Sequence, residues 1–285
     1  MSTGKQMFTS IVVSGGAVKV LSTIGCIQYL EENNMISNIM NFVGTSAGSI
    51  LCFFLILQYK AAEIAQFLNE NLNDETINTF DMDNVFNVFT NFGISDGSNL
   101  VILLERILYK KLKLKDISFL ELTKLLGKNL VVCVSNLTKE CKEFFCVDSQ
   151  PNMSVINAIR ASCAIPFLFN PVTIDNQLYV DGAIYNNFPV DYFKENRLKD
   201  ILCINIIQKN CKVNTDIVSY FMYIIYSLIN KVNNKNYEDN DKNVVTIDLE
   251  DSKWFSFSNM KIQVSKEEID TYINSGYNII KSKLG

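Results

Sequence analysis

The sequence predicts an α/β fold in which helices flank a largely parallel sheet. Two consecutive strand–turn–helix units near its start carry this prediction. In the first, a β-branched segment over 8–13 ends in Ser-Gly-Gly at 14–16, and apolar residues at helical spacing follow over 21–31. In the second, a strand over 39–43 runs into Gly-Thr-Ser-Ala-Gly at 44–48, ahead of an apolar helix. Such units place parallel strands side by side under a layer of helices.

The rest of the chain adds further strands and a closing helix. Helix and loop are predicted over 61–115. A helix over 266–283 is expected because Ser265 can act as its N-cap, with Glu267 and Glu268 in the first turn. The further predicted strands are 130–135, 144–147, 178–180, 201–207 and 244–249.

The 285 residues are enough for one large domain with a packed core. No linker rich in Pro, Gly or Ser divides the chain, so we expect a single domain over 8–283. Its core motifs lie within 11–194, and C-terminal strands and a helix are expected over 195–283.

Composition excludes several classes of function. A net charge of -4 argues against nucleic acid as a partner, since phosphate binding needs an excess of Lys and Arg. The chain has 0 histidines, which rules out a Ser-His-Asp triad, a Cys-His dyad and any metal site built on imidazole. We therefore expect chemistry carried by other side chains, with no metal and no cofactor.

The 8 cysteines favour a reducing, cytoplasmic location, because none forms Cys-x-x-Cys and the first residues lack the apolar core of a signal peptide. The apolar runs 50–57 and 217–229 are too short or too interrupted to cross a bilayer and are predicted as buried helices. The basic run 110–115 is interpreted as a solvated helix end rather than a lipid anchor. Peripheral contact with a membrane surface stays open.

A candidate nucleophile lies in the second turn, where Gly44, Ser46 and Gly48 form Gly-x-Ser-x-Gly. Small residues on both sides permit a sharp turn that exposes the serine hydroxyl at the start of a helix. The N–H groups and dipole of that helix favour developing negative charge. The alternative is an inert serine in a tight turn, and the position between strand and helix favours the nucleophile.

The first turn, Gly15 and Gly16 followed by Ala17, is suited to presenting backbone N–H groups to an anion. In an acyl hydrolase that anion is the tetrahedral intermediate. The dinucleotide pattern Gly-x-Gly-x-x-Gly is not completed, because Ala17 and Val20 stand at its later positions. A simple packing turn remains the alternative.

A serine nucleophile needs a base, and without histidine the candidates are carboxylates or lysine. Asp181 ends a predicted strand ahead of Gly182, and functional groups of parallel α/β sheets collect at the carboxyl ends of strands. Asp148 and Asp175 are also eligible, and spacing does not choose among the three. A surface turn is the ordinary role of an Asp-Gly pair.

Taken together, these segments resemble the patatin-like phospholipase family. That family combines a glycine-rich oxyanion loop, a Gly-x-Ser-x-Gly serine and an Asp-Gly-Ala or Asp-Gly-Gly aspartate, which form a Ser-Asp dyad without histidine. The similarity extends over about residues 8 to 283. The segments that carry it are 15–19, 24–25, 44–48, 161–166, 181–183, 187–190 and 275–277.

The resemblance implies a three-layer α/β sandwich and a lipid acyl hydrolase of the phospholipase A or lysophospholipase type. Ser46 would be the nucleophile and Asp181 the proton acceptor. The substrate would be a lipid ester met at a membrane or lipid surface, with no transmembrane span and no nucleic acid. The oxyanion hole would be formed by backbone N–H groups of Gly15, Gly16, Ala17 and Ala47. The remaining motif residues are Lys19, Gly44, Gly48, Gly182 and Ala183.

Ala17 and Val20 depart from the glycines or small residues usual in that loop. If the site needs a positive φ at Ala17, alanine would be strained by about 1 kcal/mol. This departure motivates one alternative, a catalytically weak or inactive lipid-binding protein. Two others are a Ser-Lys hydrolase with Lys19 as the base, and an interaction protein that docks segment 217–229 on a partner.

Overall fold

The computed structural model describes residues 7–72, 88–193, 200–207, 243–249 and 264–285. It also describes the shorter stretches 220, 223–225, 227–229, 255–256 and 261–262.

The described strands form one large mixed sheet and two small ones. The large sheet has the order β10-β9-β1-β2-β4-β8-β7, and β5 also pairs with β4. Neighbours from β10 to β4 run parallel, whereas β5, β7 and β8 are antiparallel to their partners. The largely parallel sheet predicted from the sequence is therefore confirmed. The strands are β1 (Ser10–Val13), β2 (Asn41–Thr45), β3 (Gly93–Ser95), β4 (Asn129–Asn136), β5 (Cys141–Phe145), β6 (Phe167–Phe169), β7 (Val172–Ile174), β8 (Gln177–Asp181), β9 (Ile201–Ile207), β10 (Val244–Asp248), β11 (Phe255–Ser256) and β12 (Lys261–Ile262).

The central sheet is covered on both faces. Side chains alternate along β1, so that Ile11 and Val13 belong to the large core, while Val12 belongs to a smaller core with Phe188 and Val190. Burial on both faces explains the near-continuous apolar strands and confirms the predicted three-layer arrangement. The helices are α1 (Leu21–Glu32), α2 (Ala47–Ile56), α3 (Ala61–Asn71), α4 (Val88–Asn91), α5 (Ser98–Leu112), α6 (Phe119–Leu126), α7 (Val155–Ser162), α8 (Ala183–Asn186) and α9 (Lys266–Leu284), with 3₁₀ turns over Ala17–Val20 and Val190–Tyr192.

The predicted strands and closing helix are found, with bounds displaced by a few residues at most. The closing helix has a complete capping box between Ser265 and Glu268. The segment 61–115, predicted as helix and loop, also contains β3, which pairs in parallel with β6. Three-residue strands are too short to show a hydrophobic period, and their pairing connects distant parts of the chain.

The apolar and basic runs have different outcomes. Run 50–57 lies within and just after α2 and is buried apart from the half-buried Ile50, as predicted. Run 110–115 spans the end of α5 and the residues after it, and is exposed except for the half-buried Lys111 and Leu112. In 217–229 the described residues are helical, but only part of the prediction of burial holds. Ile225 is buried, whereas Tyr220 is 54% and Leu228 57% exposed. The other residues of that run lie outside the described part.

The state of the cysteine thiols and the length of the helices can be read directly from the described residues. All seven cysteines in the described part are free thiols, and Cys141 is the exposed one among them. Cys211 lies outside the described residues. None of the helices in the described part is long and apolar enough to cross a bilayer.

Helices α1 and α9 approach each other so closely that glycine is required on both. A Cβ at Gly25 would lie 1.8 Å from the carbonyl oxygen of Ile273, and one at Gly276 would lie 1.7 Å from that of Ser22. The Cys26 thiol donates to the Gly276 carbonyl at 3.3 Å across the same contact. The closing helix is thereby joined to the helix that follows the first glycine turn.

Candidate active site

Ser46 occupies the sharp turn between β2 and α2. Its backbone has φ 52 and ψ -129, a sparsely populated conformation for a residue with a side chain. The turn closes because its glycines lack side chains: a Cβ at Gly44 would lie 2.6 Å from the backbone of Gly48, and one at Gly48 would lie 2.5 Å from the carbonyl oxygen of Ser14. As the N-cap residue, Ser46 does not use its hydroxyl to cap α2. That hydroxyl is available to another partner.

Asp181 reaches Ser46 through an unusual junction of strands on β4. Thr45, the last residue of β2, pairs with Cys133, and Asp181, the last residue of β8, pairs with the next residue, Val134. Strand β5 pairs with the same residues from the other edge of β4. Strands β2 and β8 therefore meet end to end, running in opposite directions. The sequence placed Asp181 correctly at a carboxyl end, but on a strand assumed to be parallel.

The Ser46 hydroxyl donates a hydrogen bond to Asp181, with Oγ and Oδ2 2.6 Å apart. The other carboxylate oxygen accepts from the Ala183 N–H at 2.8 Å. Both side chains are buried, with Ser46 7% and Asp181 3% exposed. Burial raises the pKa of Asp181 from 3.8 to about 7, although the two hydrogen bonds oppose that rise.

The turn after Asp181 is held against β4 and β2. A Cβ at Gly182 would lie 2.2 Å from the Cys133 carbonyl oxygen and 3.0 Å from Thr45, so only glycine fits there. The Asp-Gly-Ala motif thus has two local reasons: Gly182 allows the close approach, and the Ala183 N–H binds the carboxylate.

The first glycine turn lies beside Ser46. A Cβ at Gly15 would lie 3.2 Å from Cβ of Ser46, which shows how closely the two turns pack. Gly16 precedes a 3₁₀ turn that begins at Ala17, and Ala47 is the first residue of α2. The first N–H groups of a helix have no partner within it, so these residues can direct donors toward Ser46.

Two details of this turn concern the expected oxyanion donors. The Gly15 N–H donates to the Asn187 carbonyl at 3.2 Å, so it is already engaged, which contradicts its place among the oxyanion donors. Ala17 has φ 47, the positive angle at which alanine is strained. Asn187 belongs to a segment that sequence similarity had singled out without a role, and its amide also donates to the Gly15 carbonyl at 3.3 Å.

The other candidate bases are placed elsewhere. Asp148 and Asp175 are exposed, in the segment after β5 and in the turn between β7 and β8. Lys19 is buried, and its Nζ donates to the Leu249 carbonyl at 2.9 Å. Of the candidate bases, the structure therefore places Asp181 in contact with Ser46. Lys19 instead links the first turn to Leu249, just after β10, by a hydrogen bond.

Sequence reasoning missed Ser162 as a contact of the site. Its Oγ accepts the backbone N–H of Ser46 at 2.8 Å, and it is fully buried at the end of α7. The available signal was a serine within the otherwise small and apolar segment 161–166, ahead of the Asp-Gly turn.

Ser46 lies between two cavities that share Ala17, Ser46 and Ile165 in their linings. The larger, about 210 Å³, is bounded mainly by apolar side chains of α1, α2, α3 and α5. The smaller, about 50 Å³, contains Asp181 and Asn187 together with Ile225 and Ile229 from the partly described helical segment.

Comparison with known proteins identifies the family. The family model of patatin-like phospholipases matches residues 11–194, which include both glycine turns, Ser46 and Asp181. The chain belongs to the patatin-like phospholipase family. It is 28% identical over 272 residues to "Probable lipid hydrolase 463L" of Invertebrate iridescent virus 6, covering 92% of this chain and 90% of that protein. It is 26% identical over 214 residues to triacylglycerol lipase ptl3 of Schizosaccharomyces pombe, covering 64% of this chain and 41% of the lipase.

Solved structures of low sequence identity share the fold. VipD from Legionella pneumophila superposes with a TM-score of 0.68 at 18% identity, covering 100% of this chain and 69% of VipD. ExoU of Pseudomonas aeruginosa, solved with SpcU, gives a TM-score of 0.53 at 14% identity, covering 98% of this chain and 53% of that one. The fold and the lipid hydrolase family thus agree with the resemblance found in the sequence.

Proposed function

We propose that this member of the family is a metal-independent lipid acyl hydrolase of the phospholipase A or lysophospholipase type that works through a Ser46–Asp181 dyad. The observation that carries the proposal is the 2.6 Å hydrogen bond from the Ser46 hydroxyl to the buried Asp181 carboxylate. A hydroxyl that donates to a carboxylate is arranged to lose its proton to that carboxylate as its oxygen attacks an ester.

The reaction has two balanced halves. Ser46 Oγ bonds to the ester carbonyl carbon while its proton passes to Asp181; the intermediate then collapses, and Asp181 returns the proton to the departing alcohol. In the second half water attacks the acyl-serine, Asp181 takes its proton, and that proton returns to Ser46 as the fatty acid leaves. The oxyanion is held by backbone N–H groups of Gly16, Ala17 and Ala47.

The environment of Asp181 makes it a better base than a solvated aspartate. A carboxylate near the reference pKa of about 3.9 accepts a serine proton poorly. Burial raises the pKa of Asp181 to about 7, which brings its basicity close to neutral pH while leaving it ionised above that value.

The two cavities are assigned to the two halves of the substrate. The larger one, about 210 Å³ and lined by side chains such as Ile24, Phe54, Leu68 and Leu103, would take the acyl chain. The smaller cavity beside Asp181 and Asn187 would take the alcohol side.

The ester test uses the whole chain with nitrophenyl esters of increasing acyl length, phospholipids and triacylglycerol. Each added methylene should raise kcat/KM roughly fourfold until the larger cavity is filled, because burying one methylene contributes about 0.8 kcal/mol. Ser46→Ala should abolish turnover and labelling by a fluorophosphonate probe. Turnover like that of the wild-type protein in Ser46→Ala would reject the proposal.

We propose that substrate is met at a lipid surface in a reducing, cytoplasmic compartment. The exposed Tyr220 and Leu228 are described residues of run 217–229, as are Ile225 and Ile229, which line the small cavity. Large apolar side chains beside a lipid site suit contact with a lipid surface. The free thiols of the described cysteines support the reducing compartment.

This contact is tested with the pair Leu228→Ser and Leu125→Ser, since both leucines are 57% exposed and Leu125 lies on α6. Leu228→Ser should lower hydrolysis of phospholipid vesicles several-fold and leave a short soluble ester unaffected. Leu125→Ser should change neither. Equal effects of the two substitutions on vesicles would contradict the proposed contact.

A second candidate, a weak or inactive lipid-binding protein, is favoured by one observation, the strained Ala17 with φ 47 in the loop that would stabilise the oxyanion. It predicts lipid binding without fluorophosphonate labelling of Ser46. An active hydrolase is labelled at Ser46, so the same probe separates the two candidates.

A further inference from the structure

We propose that Ser162 is a positioning residue: with its neighbours at the end of α7, it fixes Ser46 and Asp181 relative to each other. This inference rests on the proposed function. It gives a physical role to segment 161–166, which similarity singled out and the reaction itself does not use.

The Ser162 side chain holds the nucleophile turn by its backbone. Its Oγ donates to the Cys133 carbonyl at 2.6 Å and accepts the Ser46 N–H at 2.8 Å. Since its single proton is committed to Cys133, a lone pair is directed at Ser46. Ser162 is fully buried, so water does not compete for either bond.

The same short segment holds Asp181 through its carbonyl groups. The Asp181 N–H donates to the Ala164 carbonyl at 2.9 Å, and the Gly182 N–H donates to the Ser162 carbonyl at 3.2 Å. Residues 162–164 thus bind the backbone on both sides of the 2.6 Å contact between Ser46 and Asp181.

The hydrogen bonds made by residues 162–164 are needed because of how strands β2 and β8 meet. Strands β2 and β8 end opposite the consecutive residues Cys133 and Val134 of β4, so they share no ladder that would fix the distance between Ser46 and Asp181. Ser46 also has φ 52 and ψ -129, a conformation that persists only where the surroundings determine it. Ser162 bonds to both Cys133 and Ser46 and therefore bridges this junction.

The test compares Ser162→Ala with Ser10→Ala in the full chain. Ser10 is also buried, and its hydroxyl accepts one hydrogen bond, from the Asn41 side chain. It is the first residue of β1, at the end of the strand away from the Gly15–Gly16 turn. Ser162→Ala should lower kcat about 10- to 100-fold with KM within about twofold, because a displacement near 1 Å at the reacting atoms has an effect of that size. Ser10→Ala should lower thermal stability to a similar degree and leave kcat unchanged.

Two further variants keep the inference testable if Ser162→Ala does not fold. Ser162→Thr retains the hydroxyl and should keep kcat within about threefold of wild type. Ser162→Cys fills nearly the same space with a weak acceptor and should lower kcat about tenfold. A folded Ser162→Ala or Ser162→Cys with the kcat of the wild-type protein would overturn the inference, as would a loss in Ser162→Thr as large as in Ser162→Cys.

The outcome separates this inference from the proposed function. Full turnover in Ser46→Ala would reject the dyad itself. No turnover in Ser46→Ala, together with wild-type kcat in Ser162→Ala, would reject the positioning role of Ser162 and leave the dyad standing.

Discussion

The two glycine turns that flank the site both force a residue with a side chain into positive φ, yet they are built differently. Ser46 in the β2–α2 turn is enclosed by backbone, since a Cβ on Gly44 or Gly48 would strike backbone atoms at 2.5 to 2.6 Å. Around the β1–α1 turn the nearest atoms are side chains: a Cβ on Gly16 would meet the Ile206 side chain at 2.7 Å, and one on Gly15 the Asn187 amide oxygen at 2.5 Å.

The difference follows from what each turn presents. The β2–α2 turn presents one side chain whose oxygen must lie within hydrogen-bond distance of Asp181, and rigid backbone contacts fix it. The β1–α1 turn presents backbone N–H groups, which any residue except proline supplies, and its side-chain neighbours can shift. We therefore expect substitutions in the β2–α2 turn to be far less tolerated than substitutions in the β1–α1 turn.

The largest expected effect comes from removing the Asp181 carboxylate, to which the serine of the β2–α2 turn donates its hydrogen bond. Asp181→Asn should lower kcat/KM at least about 1,000-fold, because the amide cannot accept the Ser46 proton. The same substitution should stabilise the fold at alkaline pH. The folded protein keeps Asp181 protonated up to about pH 7 and the unfolded chain ionises it near 3.8, so the carboxyl destabilises the native state progressively as pH rises between these values.

Unfolding of Asp181→Asn in urea should accordingly show a gain of up to about 4 kcal/mol at pH 8 and almost none at pH 4. A stability gain that is the same at both pH values would contradict the raised pKa. Wild-type activity in Asp181→Asn would remove the carboxylate from the mechanism.

A matched pair of glycine substitutions tests the contrast between the two turns directly. Gly48→Ala should cost more than about 3 kcal/mol of stability and abolish activity, because its Cβ would collide with backbone. Gly16→Ala should cost about 1–3 kcal/mol, since the atoms that its Cβ would meet belong to the Ile206 side chain, which can move. Equal losses of unfolding free energy in the two variants, measured by urea denaturation, would contradict the expected difference between the turns.

The pH dependence sharpens the comparison, because in the proposed mechanism the serine of the β2–α2 turn works with a titrating carboxylate, whereas the β1–α1 turn supplies backbone N–H groups. Activity of the wild-type protein should fall about tenfold per pH unit below a midpoint near 7, as Asp181 becomes protonated. The nearby thiols of Cys133 and Cys163 have pKa values raised by burial and stay neutral there. An activity that instead rises along an alkaline limb and is lost in Lys19→Met would favour Lys19 as the base.

The smallest expected effect is at Ala17, in the more tolerant turn. Ala17→Gly should stabilise the protein by about 0.5 kcal/mol, since relief of a positive φ slightly exceeds the added freedom of glycine in the unfolded chain. Turnover should stay within about twofold, because the N–H is retained. A rise in kcat of tenfold or more would show that alanine at this position impairs the oxyanion loop.

Much of the fold could be predicted because its strands are apolar on both faces and end in glycine turns, as β1 and β2 do. Pairing between distant segments could not. The β3–β6 pair and the antiparallel direction of β8 depend on contacts made only after folding. A glycine such as Gly93, where a Cβ would lie 2.2 Å from the backbone of Phe169, looks in the sequence like an ordinary loop residue.

The candidate site was predictable to different degrees. The Gly-x-Ser-x-Gly turn singled out Ser46 from local physics, whereas spacing left Asp148, Asp175 and Asp181 open until the family resemblance selected Asp181. The structure places the first two on the surface. The segment around Ser162 was visible in the sequence, but the hydrogen bonds of Ser162 and of the Gly15 N–H could not be predicted, because they depend on which backbone groups meet after folding.

The glycine contact between α1 and α9 has a consequence for where the smallest stable unit ends. The family match stops at residue 194, but α9 packs at Gly25 and Gly276 backbone against backbone onto α1, the helix that continues the Ala17–Val20 turn. We propose that 8–283 is one folding unit, so that a fragment cut after 194 would expose the bare flank of α1 and aggregate. Helix α9 thus supports, through α1, the Ala17–Val20 turn beside Ser46.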